Sequence, residues 1–269
     1  SDHLGMGGIN TLEELAIVKR VVVETATDTV VLNADDLLCL RMADFCHAAH
    51  ICYVTTNSDH PLVKEHIRAG GRAVVLEKAM NGDMITIYDR GTHIPLLWTH
   101  LIPATLEGKA MHNVQNAMFA VLMTYAMGVK VENIRQGLRT FDTTYFQAPG
   151  RLNVYDELPF KVILDYGHNP AAVRAMAALV QRLDVKGKRV CVLSAPGDRR
   201  DDDIKEIARA APARGLSREE AAAPPDPGRV PASPLICSEP PSICKGVYVS
   251  GTPGPARASM QRSNPGVCA

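Results

Sequence analysis

The chain has 269 residues, 46% of them hydrophobic and 22% charged, which is enough apolar material for the buried core of one or two domains. Lys plus Arg and Asp plus Glu both total 29, so the net charge is zero and nothing points to a nucleic-acid partner. No apolar run approaches the roughly 20 residues of a membrane span, no signal peptide opens the sequence, and the scattered cysteines form no CxxC pair. A cytoplasmic protein is expected, with Cys39, Cys46, Cys52 and Cys191 reduced and packed in a core rather than ligating zinc.

The elements alternate along the chain. Thr11-Leu12-Glu13-Glu14 is a capping box that opens a helix. Leu12, Leu15, Ala16 and Lys19 share one face of that helix, so Lys19 is expected to be half buried. A buried strand is predicted at 29–33, a helix at 34–47, a strand at 50–56 and a helix at 61–69, broken by Gly70-Gly71. Strands follow at 72–77, 84–88 and 93–99, with Asn81-Gly82 as a hairpin turn. A long apolar helix runs over 111–127 and stops at Gly128, and a shorter one covers 131–140.

The stretch 141–149 is the expected domain boundary. Beyond it, strands are predicted at 152–155, 161–164 and 189–193, with helices at 170–183 and 202–211. Strand–helix–strand order with apolar strands predicts a parallel sheet covered on both faces. From 212 the composition turns to Ala, Pro, Gly, Ser and Arg without periodicity, so 212–269 is expected to be a disordered or non-native tail.

Several loops carry chemistry-bearing residues. Asp165-Tyr166-Gly167-His168-Asn169-Pro170 follows an apolar strand and enters a helix, with Asn169 as N-cap and Pro170 in the first turn. In open parallel sheets ligands gather at such strand ends, and helix N-termini attract phosphate. Asp165 could therefore meet a ribose and His168 a phosphate, or Asp165 and Asn169 could simply cap the helix. A second strand leads into Asp198-Arg199-Arg200, which reads equally as a solvated loop or as the other side of a shared cleft. His112, Asn113 and Asn116 lie together at the start of the long helix, where amides can read an adenine edge or merely cap. Asp2-His3 and Lys19 offer weak donors for a hard metal. Asn33-Ala34-Asp35-Asp36 is explained by capping alone.

In this order, Asp2-His3-Leu4, Asn33-Ala34-Asp35-Asp36, His112-Asn113 with Asn116-Ala117, Pro149-Gly150-Arg151, Asp165 to Pro170, and Gly197-Asp198-Arg199-Arg200 resemble the Mur ligase superfamily across residues 1–211. Within it, Asp2-His3-Leu4-Gly5, the segment 134–154 and Gly197-Asp198-Arg199-Arg200 look most like the cyanophycin synthetase branch. The resemblance implies an α/β architecture: a partial central ATP-binding domain over 1–145, lacking its P-loop strand, then a partial Rossmann-like C-terminal domain over 146–211. It implies ATP and Mg2+ as cofactors, with His3 and Lys19 at a metal and Lys19 as the lysine that relatives carbamylate.

By the same resemblance His112, Asn113 and Asn116 would hold adenine, Arg151 the phosphates, Asp165 the ribose, and His168 would lie at the nucleotide. Asp198, Arg199 and Arg200 would line the site for arginine, aspartate or a poly-Asp (cyanophycin) acceptor. The family chemistry is carboxylate activation by ATP to an acyl phosphate, followed by amine attack. No Gly-x-Gly-Lys-Ser/Thr loop occurs in the chain, so a fragment inactive by itself is expected, with homo-oligomerisation left to the full-length protein. A peptidoglycan ligase or folylpolyglutamate synthase fragment, and a non-catalytic α/β domain, remain the rival readings.

Overall fold

The computed structural model describes residues 4–185, 187–193, 200–210 and 246–251. His3, Asp198 and Arg199, and all of 212–269 except 246–251, lie outside the described residues.

Helix α1 (Leu12–Thr25) opens with the expected capping box: Thr11 accepts from the Glu14 amide, and the Glu14 carboxylate accepts from the Thr11 amide. Strand β1 (Thr29–Asn33) is followed by a short helix α2 (Leu37–Arg41) and a 3-10 turn at Met42–Phe45, where one longer helix was expected. The start is delayed because Asp36 is the cap, accepting from the amides of Leu38 and Cys39. Asp35 is meanwhile committed across the sheet, to the Thr55 hydroxyl at 2.5 Å and to the amide of Thr56 at 2.8 Å.

Strand β2 (His50–Thr55), helix α3 (Pro61–Arg68) and strand β3 (Arg72–Ala79) continue the pattern. Strands β4 (Gly82–Asp89) and β5 (Thr92–Trp98) then form a meander. The hairpin expected at Asn81-Gly82 has Met80 and Asn81 at its tip, and the second turns through Arg90 and Gly91, both at positive φ as primed turns require. The sheet order is β1-β2-β3-β4-β5, parallel over the first three strands and antiparallel beyond. The antiparallel part follows from the two-residue loops, the first of them at the expected hairpin, which join antiparallel neighbours.

Alternate residues of β3 feed two cores. Val74 and Leu76 face helix α4 (Met111–Ala126), while Ala73 and Val75 face α3. On α4, Val114, Met118, Val121 and Leu122 are fully buried, a stripe at helical spacing. Burying each such side chain is worth roughly 1.5–3 kcal/mol, so this face anchors the helix that carries the site residues. Helix α5 (Val131–Thr140) follows, with the predicted bounds.

The second unit holds β6 (Asn153–Tyr155), β7 (Phe160–Leu164), α6 (Pro170–Arg182), β8 (Lys188–Leu193), α7 (Asp201–Ala210) and β9 (Gly246–Gly251). Its order is β6-β7-β9-β8, and β9 pairs antiparallel with both neighbours. So β7 and β8 run in the same direction with β9 between them. No element was expected at 246–251. Leu106 and Ala110, which precede α4, pack into this unit's core beside Leu152, Ile163 and Met176.

Candidate functional site

A cleft of about 680 Å³ opens between α4, α5 and the connection that follows α5. Asn113, Asn116 and Ala120 line it from α4, Ile134 and Gly137 from α5, and Phe141, Ala148 and Arg151 from the connection. Its walls are mainly apolar with a few convergent polar groups, which is the make-up of a small-molecule site.

The two asparagines are ordered in series. Asn113 Nδ2 donates to the Ala104 carbonyl at 2.7 Å, which directs its Oδ1 to Asn116 Nδ2 at 3.2 Å. Asn113 is therefore not a helix cap; the N-cap residue is Ala110, with no side-chain cap. Asn116 is exposed, and among the described residues its Oδ1 and second N–H meet no hydrogen-bond partner. An oriented acceptor–donor pair of this kind complements the donor–acceptor edge of adenine.

Arg151, which also lines the cleft, is exposed, its guanidinium 5.5 Å from the centre of the Tyr166 ring. The backbone beneath it is closely held. Leu152 is buried at φ 51°, a left-handed conformation unusual for leucine, and its amide donates to Asp165 Oδ2 at 3.0 Å. Asp165 Oδ1 accepts from the Gly167 amide at 2.7 Å, and the Tyr166 amide donates to the Gly150 carbonyl at 2.7 Å. Asp165 thus braces two loops, while Asn169 is the cap of α6, accepting from the Ala172 amide at 2.9 Å. His168 Nδ1 lies 2.9 Å from the Tyr166 carbonyl oxygen and its ring meets Tyr166 edge-on. His112 is half buried: desolvation pushes its imidazole down against the opposing pull of the Asp165 charge.

The cleft brings Asn113, Asn116 and Arg151 together; Asp165, His112 and His168 are not among its lining residues. Arg200 is bound elsewhere, donating to both carboxylate oxygens of Asp203 at 2.8 and 3.1 Å. Its side-chain stem lies against Gly5, where an added Cβ would come within 2.9 Å of it and φ is +86°. Gly5 and Arg200, far apart in sequence, thereby touch.

Lys19 departs from expectation. It is exposed, because α1 meets α2 and the following 3-10 turn along a narrow edge, burying Val23 and laying Arg20 over the Phe45 ring. Ile17, Val18, Val21 and Val22 are exposed as well. Among the described residues no group of three His, Cys, Asp or Glu is placed to hold a metal ion, and His3 lies outside those residues.

Two further clefts, of about 290 and 470 Å³, share Ser58 and Glu77. The Glu77 carboxylate already accepts from Thr86 at 2.8 Å and from the Tyr88 hydroxyl, with His93 Nε2 at 3.2 Å, so it offers little to a ligand. Sequence reasoning missed Asn153, Tyr166, Gly137 and Phe141.

Residues 150–218 match the family described as Mur ligase, glutamate ligase domain, a segment containing Arg151, Asp165, His168 and Arg200. Cyanophycin synthetase from Synechocystis sp. is 39% identical over 213 residues, 78% of this chain. Over most of its length the chain is similar to ligases of the Mur superfamily.

Cyanophycin synthetase from Nostoc sp. also aligns at 39% identity over 78% of the chain. The Mur ligase UDP-N-acetylmuramoylalanine–D-glutamate ligase from Brucella abortus is 28% identical over 52% of the chain and 26% of its own length. The chain spans about a quarter of the cyanophycin synthetases it matches, 24% of the Synechocystis protein and 23% of the Nostoc one. Among solved structures, the bifunctional folylpolyglutamate synthase/dihydrofolate synthase from Yersinia pestis CO92 aligns with 62% of this chain and 37% of its own, at 19% identity and a TM-score of 0.36.

Proposed function

We propose that the cleft between α4 and α5 binds the adenine of ATP, and that the chain is the nucleotide-facing part of an ATP-dependent acid–amino acid ligase. The oriented Asn113–Asn116 pair facing an apolar cleft with Arg151 among its lining residues carries this reading. Asn116 reads the base edge and Arg151 offsets charge on the phosphates, while Asp165 holds the Arg151 turn and offers its remaining lone pairs to the ribose. Arg200, Asp198 and Arg199 stand for the amino-acid or polymer end.

The reaction is that of the family. ATP phosphorylates a carboxylate, an amine attacks the resulting acyl phosphate at its carbonyl carbon, and phosphate leaves. Magnesium would supply charge neutralisation to that transfer. His3 lies outside the described residues and Lys19 is exposed, so no step is drawn through the ion.

The relatives at 39% identity favour arginine joined to an aspartate side chain of a poly-Asp backbone over a peptidoglycan substrate. The place of action is taken to be the cytoplasm; no helix among the described residues is long and apolar enough to cross a membrane. Titration calorimetry with ATP and Mg2+ tests the reading. Wild type should release heat that Asn116→Ala and Arg151→Ala each reduce severalfold. Identical heats for all three, or none for wild type, would sink it.

A further inference from the structure

We infer that Gly137 marks the wall of the cleft against which the flat face of the nucleotide base lies, an inference that rests on the reading of the cleft just given. Gly137 sits inside α5, three residues before that helix ends at Thr140, so it is not the glycine that terminates the helix. Its φ is not among the positive values, so the backbone would accept any L-residue. A Cβ built on it meets nothing within 4 Å. Glycine weakens a helix interior relative to alanine. Nothing among the described residues explains the missing methyl group.

The cleft does explain it. Gly137 lines the cavity from α5, with Asn116 and Ala120 lining it from α4 and the ring of Phe141, about half exposed, one turn further along. A planar base entering edge-first toward Asn116 presents one face to α5. The bare backbone at Gly137 lets that face approach closely, and Phe141 adds an aromatic surface beside it. Arg151 is left for the phosphates. Gly137 therefore acts on the base alone, whichever phosphates follow.

The experiment compares adenosine and ATP–Mg2+ binding, by ligand-observed NMR to millimolar concentration and by calorimetry, in wild type, Gly137→Ala, Asn116→Ala and Arg151→Ala. Gly137→Ala should melt about 2–4 °C higher than wild type, because the helix gains an alanine in open space. It should nevertheless bind adenosine and ATP more weakly by the same factor, roughly tenfold or more, the scale for one extra methyl in a filled pocket. Arg151→Ala should weaken ATP and spare adenosine. If wild type and Asn116→Ala differ while Gly137→Ala binds both ligands like wild type, Gly137 has no such role and the inference alone fails. If wild type binds neither ligand, the nucleotide reading of the cleft fails and the inference falls with it.

Discussion

His66 shows how one side chain couples this fold to pH. It lies on α3 with its ring edge-on to Tyr53, centroids 4.8 Å apart, and fills the space above Gly71. Burial pushes its imidazole below the ordinary 6.5, outweighing the upward pull of the Arg72 and Ile51 backbone. Between the lowered folded value and 6.5 the unfolded chain binds more protons, so stability rises with pH. Stability is full above 6.5 and falls as the pH drops from there toward the folded value. Half-buried His112 adds the same sign. Urea midpoints should thus fall between pH 7.5 and 5.5, and His66→Gln should flatten part of that slope. An unchanged slope in the variant would refute the assignment, since the carboxylates of this fold titrate lower still.

At the scale of elements, the connection after α5 holds the site together through one buried amide. Asn153, only 1% exposed, accepts from the Gly150 amide at 2.7 Å and donates to the carbonyls of Thr143 at 2.7 Å and Ala148 at 2.9 Å. Those bonds fix the loop that carries Arg151. Asn153→Ala should cost about 1–3 kcal/mol in chemical denaturation, the penalty for orphaned buried polar groups. It should also weaken ATP more than adenosine, because Arg151 is the group set loose. Equal stability of the two proteins would count against this account.

Local signals explain what was legible. α5 has its predicted bounds because Val131, Ile134 and Leu138 repeat at helical spacing, and Thr11 and Asn169 cap as their side chains dictate. Asn153 was opaque because its three partners come from a loop 3–10 residues away whose shape no periodicity encodes. Lys19 misled because a helical face indicates which residues share a side, and not whether anything covers that side.

At the scale of the molecule, alternation revealed both α/β units, yet β9 was invisible. The run Val247-Tyr248-Val249 between two glycines is a strand signal, but the Pro- and Gly-rich composition around it masked that signal. The same scale governs activity. A chain spanning 24% of its Synechocystis relative, with no Gly-x-Gly-Lys-Ser/Thr loop in its sequence, should not incorporate arginine into a poly-Asp acceptor by itself. Radiolabelled arginine appearing in polymer with this chain as the only protein would overturn that expectation.

The packing of Leu106 and Ala110 beneath β6 and β7 bears on how such proteins can be recombined. A chimera joined in the obvious loop at 141–149 would graft a foreign second unit onto a first unit that still supplies two of the native unit's core residues. Arg182 adds to the mismatch, since it donates to the Lys109 carbonyl at 3.3 Å. Exchange of the second unit between relatives therefore has to carry residues 106–110 with it.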